Sequence, residues 1–435
     1  MLEKRNIHVA ARFAHVLGLV LVCLPLLNTK GIAAQGCVFH SKDGRPYKVH
    51  FPLIQPKNPV PGTRHLKVVV FGDSAAWGNG DKPEHRLANI VSQNLADDTG
   101  QPVDLDSYAH SGALLNPAKS DNPKYPVRHG KPVSDVGNSR PATEEQAVCA
   151  TVEDSDADLV ILDGCINDVG AFNIAIPPFL FNKTTPDEIR NGGSGKTGVI
   201  AACAAPMRDT LLKIKGWFPN AKIVLMNYWL VVSNDSKPTP ETVRWTDDQK
   251  AARTVKVQKV IKKYSNGDSR TVETQTQAWE DNAAEFLRDT TACFTWAVAS
   301  ANANSILPPI THSDTTQPAP ACDPYQPAAD QPVAPTRIFL ARVSENPNYS
   351  YGAPDTHLWA LPIPLIFGFA IGPDEMFRKR NCECDRTSYL FRNDVDCKVN
   401  PTAHPNLAGA QCYSKAILET IGQKWIPPSV SVNCD

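Results

Sequence analysis

No stretch after residue 34 is long and apolar enough to span a bilayer, which needs about 20 residues of helix. Neither charge dominates, with 44 basic residues against 45 acidic ones. Without Glu3, Lys4, Arg5, Arg12 and Lys30 of the N-terminal segment the balance is 40 to 44. A chain so nearly neutral carries no electrostatic footprint for nucleic acid or for an anionic membrane surface. Metal-ligand spacing is missing too: Cys382-Glu383-Cys384 lacks the paired Cys-x-x-Cys or histidine spacing of a zinc site, and His357 has no partner at such spacing and reads as a packed loop histidine. No metal and no cofactor is expected. The phosphate-loop pattern fails because its first glycine would fall on Arg190, which leaves 192–197 as a flexible turn. No motif recurs at a fixed period, so solenoids and propellers are excluded.

What is present begins with Lys4, Arg5 and Arg12, an apolar run over 16–27, and the small residues Gly31, Ala33 and Ala34. That is the layout of a cleaved secretory signal peptide. Residues 1–34 are therefore set apart, and 35–435 are expected to work outside the cytoplasm, secreted or periplasmic. Five cysteines (Cys382, Cys384, Cys397, Cys412 and Cys434) crowd the last 54 residues. In an exported chain such clustering predicts a disulfide-rich C-terminal region.

Between these ends the hydrophobic pattern alternates between two periods. Short apolar, β-branched runs at 67–71, 103–108, 157–162, 222–230 and 337–342 predict strands. Helical periodicity covers 83–95, 142–152, 199–217, 247–263 and 277–301. Strands alternating with helices imply a parallel sheet covered on both faces, so the fold class is α/β. Stretches near 116–141, 307–335 and 345–399 lack periodicity and read as insertions decorating one domain.

Three polar groups fall beyond the carboxyl ends of predicted strands, where parallel sheets bind ligands. Gly72-Asp73-Ser74 follows the first strand, Gly164-Cys165-Ile166-Asn167-Asp168 follows the third, and His404-Pro405-Asn406 opens the last amphipathic helix. The tripeptide alone is common by chance, but the ordered set is not. Taken with His110-Ser111-Gly112-Ala113, these blocks resemble those of the SGNH (GDSL) hydrolases, in order and over most of the chain. Two departures stand out. The third block carries one residue more between its glycine and Asn167, and Pro401 occupies the position three residues before His404 where the family often has aspartate.

The resemblance implies a flavodoxin-like three-layer α/β/α sandwich and hydrolysis of carboxylic esters through an acyl-serine intermediate. It implies Ser74 as nucleophile and His404 as general base, because a serine hydroxyl needs an adjacent base near neutral pH. The oxyanion donors would be the backbone N–H groups of Ser74 and Gly112 and the side-chain amide of Asn167. Since the family position is Pro401, the group orienting His404 is expected to be Asp396, with Asp394 or a backbone carbonyl of the same loop as alternatives. Asp73 and Asp168 are expected to hold turns through local hydrogen bonds, and Trp77, Trp229 and Trp359 to belong to core or rim. The expected partner is an ester substrate, lipid or short-chain first and O-acetylated carbohydrate second. A non-catalytic secreted binding or effector protein on the same fold is the alternative of another class.

Overall fold

The structure is a computed structural model that describes residues 48–110, 112–115, 142–170, 174, 184–193, 196–234, 272–303, 336–343, 346–350, 357–358 and 404–427. The expected signal segment, the helix at 247–263, the insertions at 116–141 and 307–335, most of 345–399, and Asp396 lie outside those residues.

Six strands form the main sheet: β1 (Val49–His50), β2 (Leu66–Phe71), β3 (Val103–Ser107), β4 (Leu159–Leu162), β5 (Lys222–Met226) and β6 (Ile338–Ala341). Their order across the sheet is β1-β3-β2-β4-β5-β6. The five strands from β2 to β6 run parallel, whereas β1 pairs with β3 antiparallel at the edge. Every expected strand is present, and β1 corrects the expectation of a purely parallel sheet. A two-residue edge strand carries too little pattern to be read from its residues.

Helices cover both faces, which explains why the central strands are apolar throughout instead of alternating. Val68, Val69, Val70, Phe71, Val160, Ile161 and Leu162 are all fully buried. At such a position Phe71→Ala removes about 3–5 kcal/mol of stability. Helices α2 (Leu87–Thr99) and α8 (Leu407–Thr420) pack against each other, α2 on β3 and α8 on β6. Helices α3 (Thr143–Glu153), α6 (Ala205–Trp217) and α7 (Val272–Ala303) form a second group, with α6 between the other two. Short helices α1 (Ser74–Trp77), α4 (Ile166–Val169) and α5 (Pro186–Asn191) stand at loop positions.

Two expected elements differ in detail. The helix foreseen from residue 83 opens as a 3-10 turn at Pro83–His85, and extended backbone at Arg86 delays α2 to Leu87. The stretch 192–197, read as a flexible turn, pairs Gly192–Gly193 with Lys196–Thr197 as a small antiparallel hairpin.

The parallel strands follow the flavodoxin-like order, in which the connection direction reverses between the first and third strands. Here that reversal falls between β2 and β4, since β3 lies outward of β2 and β5 outward of β4. A crevice opens at such a switch point beyond the carboxyl ends of the two strands. The residues following Phe71 and Leu162 therefore stand at its two lips.

Candidate active site

The chain leaves β2 through Gly72 at φ +128°, a backbone conformation that favours glycine. A Cβ at this position would lie 1.8 Å from Oδ1 of Asp163. Gln146 on α3 grips the backbone of the same residue from the side. Its Oε1 accepts from the Gly72 N–H at 2.6 Å, and its Nε2 donates to the Gly72 carbonyl at 3.0 Å. Asp73 then caps α1, with Oδ1 accepting from the Ala75 N–H at 2.9 Å. Asp163, at the end of β4, takes two more N–H groups of this turn, from Asp73 at 2.6 Å and Ala76 at 2.8 Å. The turn that presents Ser74 is thus fixed by side chains from three elements. Ser74 itself is nearly buried.

Two carboxyl groups, Asp73 and Asp163, lie together beneath that turn, and burial raises the pKa of both. Asp163 is pushed well above the carboxylate range, by burial first and by the charge of Asp73 second. Opposing its own burial, Asp73 keeps the Ala75 N–H, the Tyr228 hydroxyl and the charge of His404 on its side. Like charges this close ionise in sequence, and Asp163 is the one of the pair pushed further up. Tyr228 donates to Asp73 Oδ2 at 2.8 Å while accepting from the Ile166 N–H at 3.1 Å. It ties the Ser74 turn to the loop after β4.

That loop carries Asn167. Its side-chain amide donates one hydrogen bond to the Ala113 carbonyl at 2.9 Å. An amide has two N–H groups, and one bond of this kind fixes the plane of both. Asp73 holds its own turn by a local bond as expected, whereas Asp168 accepts from the Leu115 N–H at 2.7 Å, 53 residues away, and so ties its loop to the segment after Gly112. The segment bearing Gly112 is tied to the nucleophile turn through the His110 N–H, which donates to the Gly72 carbonyl at 3.0 Å. The turns holding Ser74, Gly112 and Asn167 form one hydrogen-bonded ring around the switch point.

His404 arrives from the far end of the chain. Asn406 caps α8 by accepting from the Gly409 N–H at 3.1 Å, and its own N–H donates to the His357 carbonyl at 2.8 Å. Pro405 is bridged to Leu358. Gly409 makes this approach possible, because a Cβ there would lie 2.4 Å from the His357 carbonyl oxygen. The result is a His404 Nε2 to Ser74 Oγ distance of 2.5 Å across 330 residues of sequence. An imidazole in that position can take the hydroxyl proton and return it.

Of the site residues anticipated from sequence, the structure brings Ser74 and His404 into contact and joins the turns of Gly112 and Asn167 to them; Asp396 lies outside the described residues. Gln146, Asp163 and Tyr228 were missed. Asp163 left a trace, a carboxylate at the end of an apolar strand run, whereas Gln146 and Tyr228 left none. His357 is a packed histidine, its ring stacked on Tyr349 with centroids 3.8 Å apart. Trp77 and Trp229 are buried, and Trp359 lies outside the described residues. Beside Pro405 opens a cleft lined by Trp229, Val343, Tyr349, Leu358 and Tyr413. No group of ligating side chains able to hold a metal occurs among the described residues, and no helix among them is long and apolar enough to cross a membrane.

No protein-family model matches the chain, and no curated protein is similar to it. Solved structures similar to it include an extracellular lipase from Streptomyces rimosus, at 11% identity, covering 82% of this chain and 98% of the lipase with a TM-score of 0.39. A phospholipase A1 from Streptomyces albidoflavus NA297 is similar at 11% identity over 55% of this chain and 77% of that one, with a TM-score of 0.30. An aryl esterase from M. smegmatis is similar at 16% identity over 52% of this chain and 99% of that one, with a TM-score of 0.24. The fold rests on the strand order and pairing, not on these likenesses.

Proposed function

We propose that this chain is an exported serine esterase of the SGNH type that hydrolyses carboxylic esters through an acyl-Ser74 intermediate. The observation that carries the reading is the 2.5 Å contact of His404 Nε2 with Ser74 Oγ at the sheet's switch point. His404 takes the hydroxyl proton as Ser74 attacks the ester carbonyl, then protonates the leaving alcohol. The developing oxyanion is met by the backbone N–H groups of Ser74 and Gly112 and by the second N–H of Asn167, each worth about 3–4 kcal/mol of barrier. Water deacylates the enzyme by the reverse proton path. Asp396, or a backbone carbonyl of its loop, orients the imidazole.

The substrate proposed is a lipid or short-chain carboxylic ester. Export is supported by a buried disulfide between Cys165 and Cys203, because such bonds persist in oxidising compartments.

A fluorophosphonate probe together with a panel of p-nitrophenyl esters of graded chain length, set beside acetylated xylan, tests the reading. Labelling at Ser74 with turnover of the p-nitrophenyl esters is expected. An unlabelled Ser74 in folded protein would leave the non-catalytic binding protein as the answer, and preference for acetylated xylan would move the substrate class to carbohydrate.

A further inference from the structure

The loop that carries Asn167 departs from its neighbours in three ways, all centred on Cys165. Cys165 adopts φ +111°, the one non-glycine residue at positive φ among the described residues. It caps α4, two positions before Asn167, and its carbonyl accepts from the Asp168 N–H at 2.9 Å and the Val169 N–H at 3.2 Å. Its side chain is fully buried and disulfide-bonded to Cys203, with the two Cα atoms 5.4 Å apart. Cys203 in turn lies in a π-helical segment, Ile200–Ala204, that runs directly into α6. A π turn holds one residue more than an α turn and so re-aims the side chains it carries, a feature that recurs at functional sites.

Each observation has the same physical consequence for Asn167. A backbone held at positive φ without glycine persists only where its surroundings over-determine it. Here the bridge supplies one constraint and the Tyr228 hydroxyl, accepting from the Ile166 N–H at 3.1 Å, supplies another. Both constraints act on Cys165 and on the Cys165–Ile166 peptide, one residue before Asn167. Its amide is then aimed by the hydrogen bond to Ala113 at 2.9 Å. The extra residue between Gly164 and Asn167 is Cys165 or its neighbour, so the loop departs from the shorter block of the hydrolases where the bridge enters it.

We propose that the Cys165–Cys203 disulfide is a positioning element for the Asn167 amide, setting the rate of the chemical step and not substrate binding. This rests on the reading of Asn167 as an oxyanion donor. An oxyanion donor acts on charge that exists only in the transition state, so displacing it lowers kcat and leaves KM in place. A disulfide that served only as a staple would change stability and would be indifferent to whether Asn167 is present.

The test compares Cys203→Ala and the pair Cys165→Gly/Cys203→Ala with wild type, each also made in an Asn167→Ala background. Readouts are kcat and KM on p-nitrophenyl butyrate, fluorophosphonate labelling, and a thermal melt. Cys203→Ala is expected to lower kcat by about 10- to 100-fold, bounded by what a donor of this type contributes, with KM within about twofold. In the Asn167→Ala background the same change should cost less than about twofold, because the amide it aims is gone. Cys165→Gly/Cys203→Ala should recover part of the loss, since glycine holds φ +111° without the bridge. A kcat within about twofold of wild type in Cys203→Ala, or an equal loss with and without Asn167, overturns the proposal. So does failure of both bridge-free proteins to melt cooperatively, which would make the bridge a staple of the whole fold. If wild type itself is neither labelled nor active, the esterase reading fails instead.

Discussion

The Ser74 turn is gripped from beneath by side chains, with Gln146 from α3, Asp163 from β4 and Tyr228 from beyond β5 all bonded to its four residues or their caps. Among the described residues, the backbone contacts of the His404 stem are a bridge from Pro405 to Leu358 and a hydrogen bond from Asn406 to His357. The first is buried and pinned to the sheet, whereas His404 is half-buried on a short run between α8 and a distant loop. Among the described residues, the supports on the Ser74 side are core side chains, and those on the His404 side include a helix cap and a close approach.

Breaking either side at its reacting atom gives the largest effect. Ser74→Ala should lower kcat/KM by roughly 10⁴- to 10⁶-fold while the melting temperature stays where it was, because the loop hydroxyl adds little to stability. A variant that still turns over ester at a tenth of the wild-type rate would remove Ser74 from the mechanism. Asn167→Ala comes next, with kcat down about 10²- to 10³-fold at unchanged KM. A raised KM with intact kcat would make Asn167 a substrate contact.

The two close-packed glycines sharpen the contrast between the sides. Gly72→Ala drives a Cβ into Asp163 Oδ1, at 1.8 Å, and imposes φ +128° on alanine. It should cost about 2–4 kcal/mol in a denaturant melt, as overpacking in a rigid site does, and activity should fall with it. Gly409→Ala meets the His357 carbonyl, a backbone atom, at 2.4 Å. Helix and stem must then part, so stability should drop by about 1–3 kcal/mol while kcat falls further than that loss implies, through the displaced His404. Equal ratios of activity loss to stability loss in the two variants would erase the distinction.

How far each side could be read from sequence follows the same division. Strands β2 and β4 announce themselves because both faces are buried, which leaves a run such as Val68-Val69-Val70-Phe71 with no polar interruption. Ser74 and Asn167 can be located at one edge of the sheet because each follows such a run. His404-Pro405-Asn406 made the start of α8 legible, yet nothing local in the chain specified that His404 would reach Ser74 across 330 residues. The supporting groups were invisible for a different reason. Gln146 lies on an ordinary amphipathic helix and Tyr228 just past a strand, and only the assembled sheet turns them toward one turn. The bridge from Cys165 to Cys203 escaped as well, since the cysteines that drew notice were those near the C-terminus. Of that group Cys412 is disulfide-bonded, its partner lying outside the described residues.

The smallest effect distinguishes the Ser74 side by its charge. Asp163 is fully buried beside Asp73, and burial and that neighbour raise its pKa well above the ordinary value of 3.8. In the unfolded chain the carboxyl loses its proton near the ordinary value, while in the folded chain it keeps it, so over that interval the native state binds more protons. Stability therefore falls as pH rises from about 4 through the raised pKa, with a slope of at most about 1.4 kcal/mol per pH unit for one group. Asp163→Asn removes the titrating group and keeps one acceptor for the Asp73 and Ala76 N–H groups, so the variant should be less stable than wild type at acidic pH. The gap should narrow as pH rises, because only wild type pays for holding the proton. Chemical melts of both proteins at several pH values between 4 and 8 measure this difference directly. A gap that stays constant, or widens toward neutral pH, would mean that both carboxyls are ionised beneath Ser74 and that the N–H groups of the turn carry the pair unaided.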